Sequence, residues 1–249
     1  LFIILRAISI EFRSKEPMRW WRNTWDVLYS LSSAMLAFLL GVVLGNVLQG
    51  MPLNENMEFS GNWLQFLNPY AIMVGLTTLA LMTMHGAIYL SLKTEGRLFD
   101  KVERLLKRAM IAFIVLFGLI SLYSLIYYPH LADRFKNNPA LFIIPALAIL
   151  SIANIPRLIN KRRFLRAFIF SSLTFSFLLI VVAVELYPTL LISKGDPANS
   201  ITIYNAASSE KSLGIMLLIA AIGTPLVLAY TIIVYRTFWG KVKLDETSY

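Results

Sequence analysis

Apolar residues run through the chain in membrane-length blocks, and within each block they fill every face of a helical wheel instead of one stripe. The pattern predicts six full spans at about 27–48, 70–92, 109–128, 139–156, 168–187 and 213–238, after a partial one at about 1–10. Residues 68–96, NPYAIMVGLTTLALMTMHGAIYLSLKTEG, show the logic most plainly. Asn68 and Pro69 open a helix, Lys93, Glu95 and Gly96 close it, and the roughly 23 residues between them cross a hydrocarbon core of about 30 Å. A bilayer has no water to satisfy an unpaired backbone, so the fold is expected to be all-α: one polytopic membrane domain over 1–249, built as a transmembrane helix bundle. LFIILRAISI is apolar first and basic afterwards, the reverse of a signal peptide, and reads as the tail of a spanning helix that starts before Leu1.

The polar segments carry their own expectations. Residues 11–26, EFRSKEPMRWWRNTWD, combine four basic residues with three tryptophans, as at a cytoplasmic membrane boundary. Gly41 and Gly45 are spaced to let a neighbouring helix approach closely. Residues 93–108 are basic and helical in pattern, an interfacial extension of the following span. Pro145 is expected inside the span at about 139–156, a kink is expected around Gly223, Thr224 and Pro225, and Asp196–Pro197 marks a turn in the outer loop 188–212.

Composition supports this reading: 57% of the residues are hydrophobic and 15% charged, against roughly 45–50% and 25% in an average soluble domain. The net charge of +9 is distributed between the spans, which reports topology and not a nucleic-acid partner. With Arg236 counted at the end of the last span, all basic residues outside the spans lie on the presumptive inner side except Arg134, Lys136, Lys194 and Lys211. That asymmetry predicts a cytoplasmic C-terminus. The chain has no cysteine, which excludes disulfides, thiolate metal sites and cysteine-ligated clusters within it.

Ionisable residues inside or beside spans are few, so each is a candidate. Arg6 either snorkels to the interface or pairs with a buried anion, such as a partner's carboxylate or a cofactor's propionate. Glu11 is either a solvated helix-end carboxylate or the mouth of a proton path. His85 reads as a packed histidine bonded to a neighbouring helix, because the only other histidine, His130, is expected in an outer loop. Glu185 lies about one turn from the outer interface and is expected to reach water. Ser171, Ser172, Thr174 and Ser176 are expected to hydrogen-bond between or within helices. No catalytic constellation and no metal-spaced cluster emerges.

Seven segments resemble, in order, subunit II of the cytochrome bd-type quinol oxidases: EFRSK (11–15), WRNTWD (21–26), LLGVVLGNVLQGMP (39–52), FLNPYAIMVGL (66–76), HGAIYLSLKTEG (85–96), FSSLTF (170–175) and NAASS with GTPLVLAYT and YRTFWGKV (205–242). The resemblance implies two four-helix bundles, of which the first helix and most of the second are not in this stretch. It also implies a partner, subunit I, carrying haem b and haem d and the quinol-oxidising loop. Such a complex couples quinol oxidation to reduction of dioxygen to water, building a proton gradient without pumping, in the bacterial inner membrane. Arg6 matches a family arginine near haem at the subunit boundary, and Glu11 matches the acidic residue of a proton path. A glutamine replaces His85 in relatives, which argues against a haem ligand there. Glu185 has no family counterpart, and Ser193 to Gly195 replace a proline–serine–serine turn. The resemblance leaves room for a bound quinone and small accessory subunits, and the alternative of a membrane transporter or permease has only Pro145 and Pro225 to suggest broken helices.

Overall fold

The computed structural model describes residues 1–241, and of His130 the backbone alone. The helices are α1 (Phe2–Arg13), α2 (Arg19–Gln49), α3 (Pro69–Lys93), α4 (Gly96–Tyr127), α5 (Asp133–Asn137), α6 (Ile143–Asn160), α7 (Phe164–Leu186) and α8 (Glu210–Thr237). Six of the described helices are long and apolar enough to cross a membrane: α2, α3, α4, α6 with its preceding 3-10 turn, α7 and α8. The molecule is a polytopic, all-α membrane protein.

Several helices outrun the apolar runs. α2 starts at Arg19 and α4 at Gly96, well before their hydrophobic blocks begin. Arginine, lysine and glutamate favour helix, and a helix that satisfies its own backbone has no reason to stop at the headgroups. Pro145 is the third residue of α6, where the first turn's N–H groups lack intrahelical partners anyway, so it breaks no bond. The proline in the interior of α6 is Pro156, and the helix continues through it to Asn160. Pro225 likewise lies inside α8. The loop after α7 adds a small antiparallel pair, β1 (Thr189–Leu191) with β2 (Ile201–Thr202). Asp196 caps the 3-10 turn Pro197–Asn199 by accepting from the Ala198 N–H.

α3 lies at the centre, packed on α2, α4 and α7. This is why it is apolar all round: Val74, Leu81, Met84 and Ile88 are buried on a helix with neighbours on several sides. Met84 and Ile88 join Leu106 and Phe113 of α4, Ile155 and Ile159 of α6 and Ala167 of α7 in one core. A second cluster, Tyr70, Val74 and Ile120, sits at the opposite end, where the Tyr70 hydroxyl meets the Ser124 hydroxyl at 3.1 Å.

The α2–α3 contact is close enough to exclude side chains. A Cβ on Gly41 would lie 2.7 Å from the Gly75 Cα, and one on Gly45 would lie 2.7 Å from the Ala71 Cα. Buried Asn46 adds a polar lock: its amide donates to Val42 O and Phe66 O, both at 2.8 Å, and accepts from the Asn68 amide at 2.9 Å. Asn68 in turn caps α3 by accepting from the Ala71 N–H at 2.8 Å.

The chain ends divide into two faces. The α1–α2 turn, the α3–α4 junction, the α6–α7 turn and the end of α8 share one, the basic end. There Lys93 donates to Phe238 O at 2.6 Å, and Lys241 pairs with Glu95 at 2.9 Å. At the opposite end the two long loops are fastened together, the Met51 N–H donating to Ile192 O at 2.8 Å and the Lys194 N–H to Met51 O at 2.9 Å. Partial burial in this seam lowers the Lys194 ammonium below the ordinary lysine range.

Gly45→Val should wedge α2 from α3 and destabilise the protein by roughly 1–3 kcal/mol, whereas Gly118→Ala, into open space on α4, should cost little. Thermal unfolding in detergent reads both, and equal melting temperatures would disprove the close-contact account.

Candidate functional site

α1 packs chiefly on α2 as a short antiparallel hairpin, leaving Ile3, Ile4 and Ile10 exposed by 60% or more. Aromatic contacts hold its turn. Phe12 lies 5.3 Å from Trp25, Trp25 lies 5.6 Å from Trp21, and the Trp21 indole N–H donates to Phe12 O at 2.8 Å. Arg13 donates to Asp26 at 2.6 Å, and that carboxylate raises the guanidinium further above its already high value. The Trp25 indole N–H is buried without a partner among the described residues.

Arg6 sits on this hairpin with its Nη2 3.4 Å from the Tyr29 hydroxyl and its guanidinium 5.4 Å from the centre of the Tyr29 ring. No carboxylate pairs with it among the described residues. The long hydrogen bond and the ring face hold the cation while leaving most of its donors free. Glu11 is exposed at the end of the same helix, its carboxylate in no ion pair among the described residues. Five residues separate the two, about 7.5 Å along the axis and roughly 140° around it. They therefore belong to different faces, and the structure does not bring them into one site.

The other candidates are accounted for by packing. His85 Nδ1 is 2.7 Å from the Ser171 hydroxyl, which itself donates to Phe168 O at 3.0 Å, so the histidine is assigned as the donor. Its ring stacks on Phe168 at 4.8 Å and meets Phe175 edge-on at 5.2 Å. Ser172, Thr174 and Ser176 bond to carbonyls of their own helix. Glu185, in the last turn of α7, is half-buried, so it does not reach water as freely as its position near the interface suggests. Among the described residues no three His, Asp or Glu side chains cluster as metal ligands. Tyr29, Asp26 and Asn46 escape sequence reasoning because their partners lie 13 to 23 residues away.

Residues 1–238 match the family described as cytochrome bd terminal oxidase subunit II. The chain belongs to this family. It is 29% identical to the probable cytochrome oxidase subunit 2 of Haemophilus influenzae over 96% of this chain and 71% of that protein. It is 26% identical to the cytochrome bd-I ubiquinol oxidase subunit 2 of Escherichia coli over 98% of this chain and 72% of that one. Its fold resembles a chain of the bd oxidase from Geobacillus thermodenitrificans with a TM-score of 0.73, over 96% of this chain and 71% of the other, at 18% identity. A bd oxidase subunit II is a multi-pass membrane component of an oxidoreductase complex, and family membership leaves the transporter alternative without support.

Because His85 is engaged by Ser171 and two rings, His85→Leu should leave the reduced-minus-oxidised haem spectrum of the assembled complex unchanged while lowering the melting temperature by a few degrees. A lost or shifted haem band would make it a ligand.

Proposed function

We propose that this chain is the accessory subunit of a bd-type terminal oxidase that couples quinol oxidation to reduction of dioxygen to water in a bacterial inner membrane, its C-terminus cytoplasmic. In this reading the haems, b and d, belong to subunit I, and this chain is not itself catalytic. Bound there, they supply electron transfer and dioxygen binding. The proton gradient arises without pumping, from the side on which protons are taken up and released.

The observation that carries the reading is the Arg6 guanidinium, which has no carboxylate partner among the described residues, on a helix that packs chiefly on α2. A permanently charged, forked donor in apolar surroundings suits a carboxylate brought by a partner chain, and a haem propionate is such a carboxylate. The residues present fit that group: Tyr29 orients the guanidinium without neutralising it. Exposed Ile3 and Ile4 beside it suit the apolar surface of subunit I. Glu11 at the basic end has the position for receiving protons from the cytoplasm on a free carboxylate oxygen and passing them inward.

Arg6→Leu should lower haem content or quinol-driven dioxygen consumption of the assembled complex on the order of tenfold, with Arg6→Lys intermediate. Unaltered spectra and turnover would remove the propionate role. Glu11→Gln should preserve assembly and haem content while slowing dioxygen consumption severalfold, and wild-type turnover across pH would take Glu11 off the proton route.

A further inference from the structure

A cavity of about 800 Å³ opens at the basic end between the end of α3, the start of α4, the α6–α7 turn and Lys241. Its charge is unbalanced. Among the described residues, Arg162, Arg163 and Arg166 line it together with a single acid, Glu95, and that acid is already paired with Lys241 at 2.9 Å. None of the three arginine side chains has an ion pair or hydrogen bond among the described residues. Glu103, whose charge reaches Arg162, is itself held by Lys107 at 2.9 Å. Like charges crowded in one turn repel, so the arrangement is stable only where an anion or water screens them.

Two helix starts add to this field. α4 begins after Glu95 and α7 after Arg163, and neither residue caps its helix with a side-chain hydrogen bond. Their first N–H groups thus remain available where the helix dipole favours negative charge. Arg162 follows Lys161, the residue that caps α6, at φ 53°, left-handed backbone that favours glycine. An arginine there gives up conformational ease and contributes a guanidinium to the cavity.

Leu92, Phe99, Phe164 and Leu165 give the cavity an apolar side, beside Ser91, Thr94 and Gly96. A cationic pocket with an apolar side, at the ends of membrane-spanning helices, matches a molecule that carries a phosphate and acyl chains together. We propose that this cavity binds the phosphate of an anionic glycerophospholipid through Arg162, Arg163 and Arg166, with Leu92, Phe99 and Phe164 against its glycerol and upper acyl carbons. This rests on the membrane-spanning fold and goes beyond the oxidase role.

The test uses the intact complex, purified through this subunit, delipidated and titrated with fluorescent phosphatidylglycerol or phosphatidylcholine. Each cation near an anionic lipid changes binding about fivefold, so Arg163→Gln with Arg166→Gln should weaken phosphatidylglycerol binding roughly thirtyfold and leave phosphatidylcholine unaffected. Arg162→Gly is the sharper variant, because it relieves the backbone: it should retain or raise the melting temperature and still bind phosphatidylglycerol about fivefold more weakly. Lys101→Gln with Arg104→Gln, at the same end but outside the lining, should bind as wild type. Equal affinity of the wild type for the two lipids, or unchanged binding in Arg162→Gly, would overturn the proposal. Displacement of the bound lipid by an equal concentration of inorganic phosphate would overturn the lipid in favour of a soluble phosphate. Haem content measured on the same samples reports separately on the oxidase reading.

Discussion

The close approach of α2 and α3 is the constraint on which the rest depends. In a bilayer, apolar side chains gain nothing by leaving lipid for one another, so helix association rests on van der Waals contact and on polar groups that have nowhere else to go. Gly41, Gly45 and Gly75 supply the first by bringing backbones together, and Asn46 supplies the second. A glycine groove alone would let two helices slide. The Asn46 amide forbids this, since a shift of one residue, about 1.5 Å, would break bonds to both Phe66 O and Asn68 at once. Depth and register are thus set by different residues, glycines of both helices for the one and Asn46 of α2 for the other.

With α2 fixed, α3 can act as the hub. Its other sides receive α4 and α7, and through α7 the α6 helix, so the core around Met84, Ile88, Leu106 and Phe113 assembles on a helix already held in place. α1 and α8 stand outside this core. α1 packs chiefly on α2, and α8 buries no residue; Tyr235 in its last turn meets Tyr89, and Phe238 and Lys241 just beyond it bond to Lys93 and Glu95. The apolar surface of these two helices belongs to lipid or to another chain.

Much of this was legible in the sequence because the bilayer imposes a period and a length. The α3 span, its Asn68 cap and the Gly41–Gly45 spacing follow from rules that operate within a few residues, and all three appear in the structure. Helix ends were less legible. The hydrophobic block sets where lipid ends, whereas the helix ends where capping or backbone geometry stops it, as at Arg19; the extension of α4 back to Gly96 was legible in the basic, helical pattern of 93–108. Pairings across long stretches were the least accessible: Ser171 answers His85 from 86 residues away, and Tyr128 answers Gln49 from 79. The unbalanced charge around Arg162 is of the same kind. A basic turn in sequence reads as topology, and only the arrangement of its neighbours shows that the one acid beside it among the described residues is already taken.

The seam at the opposite end has a mechanical meaning. Backbone bonds from Met51 to Ile192 and from Lys194 to Met51 join the loop after α2 to the loop after α7, while at the basic end Phe99 of α4 meets Phe164 of α7 edge-on at 5.5 Å beside the cavity. The α6–α7 pair is thus tied to the rest at both extremities, by main-chain bonds at one and by side-chain packing at the other.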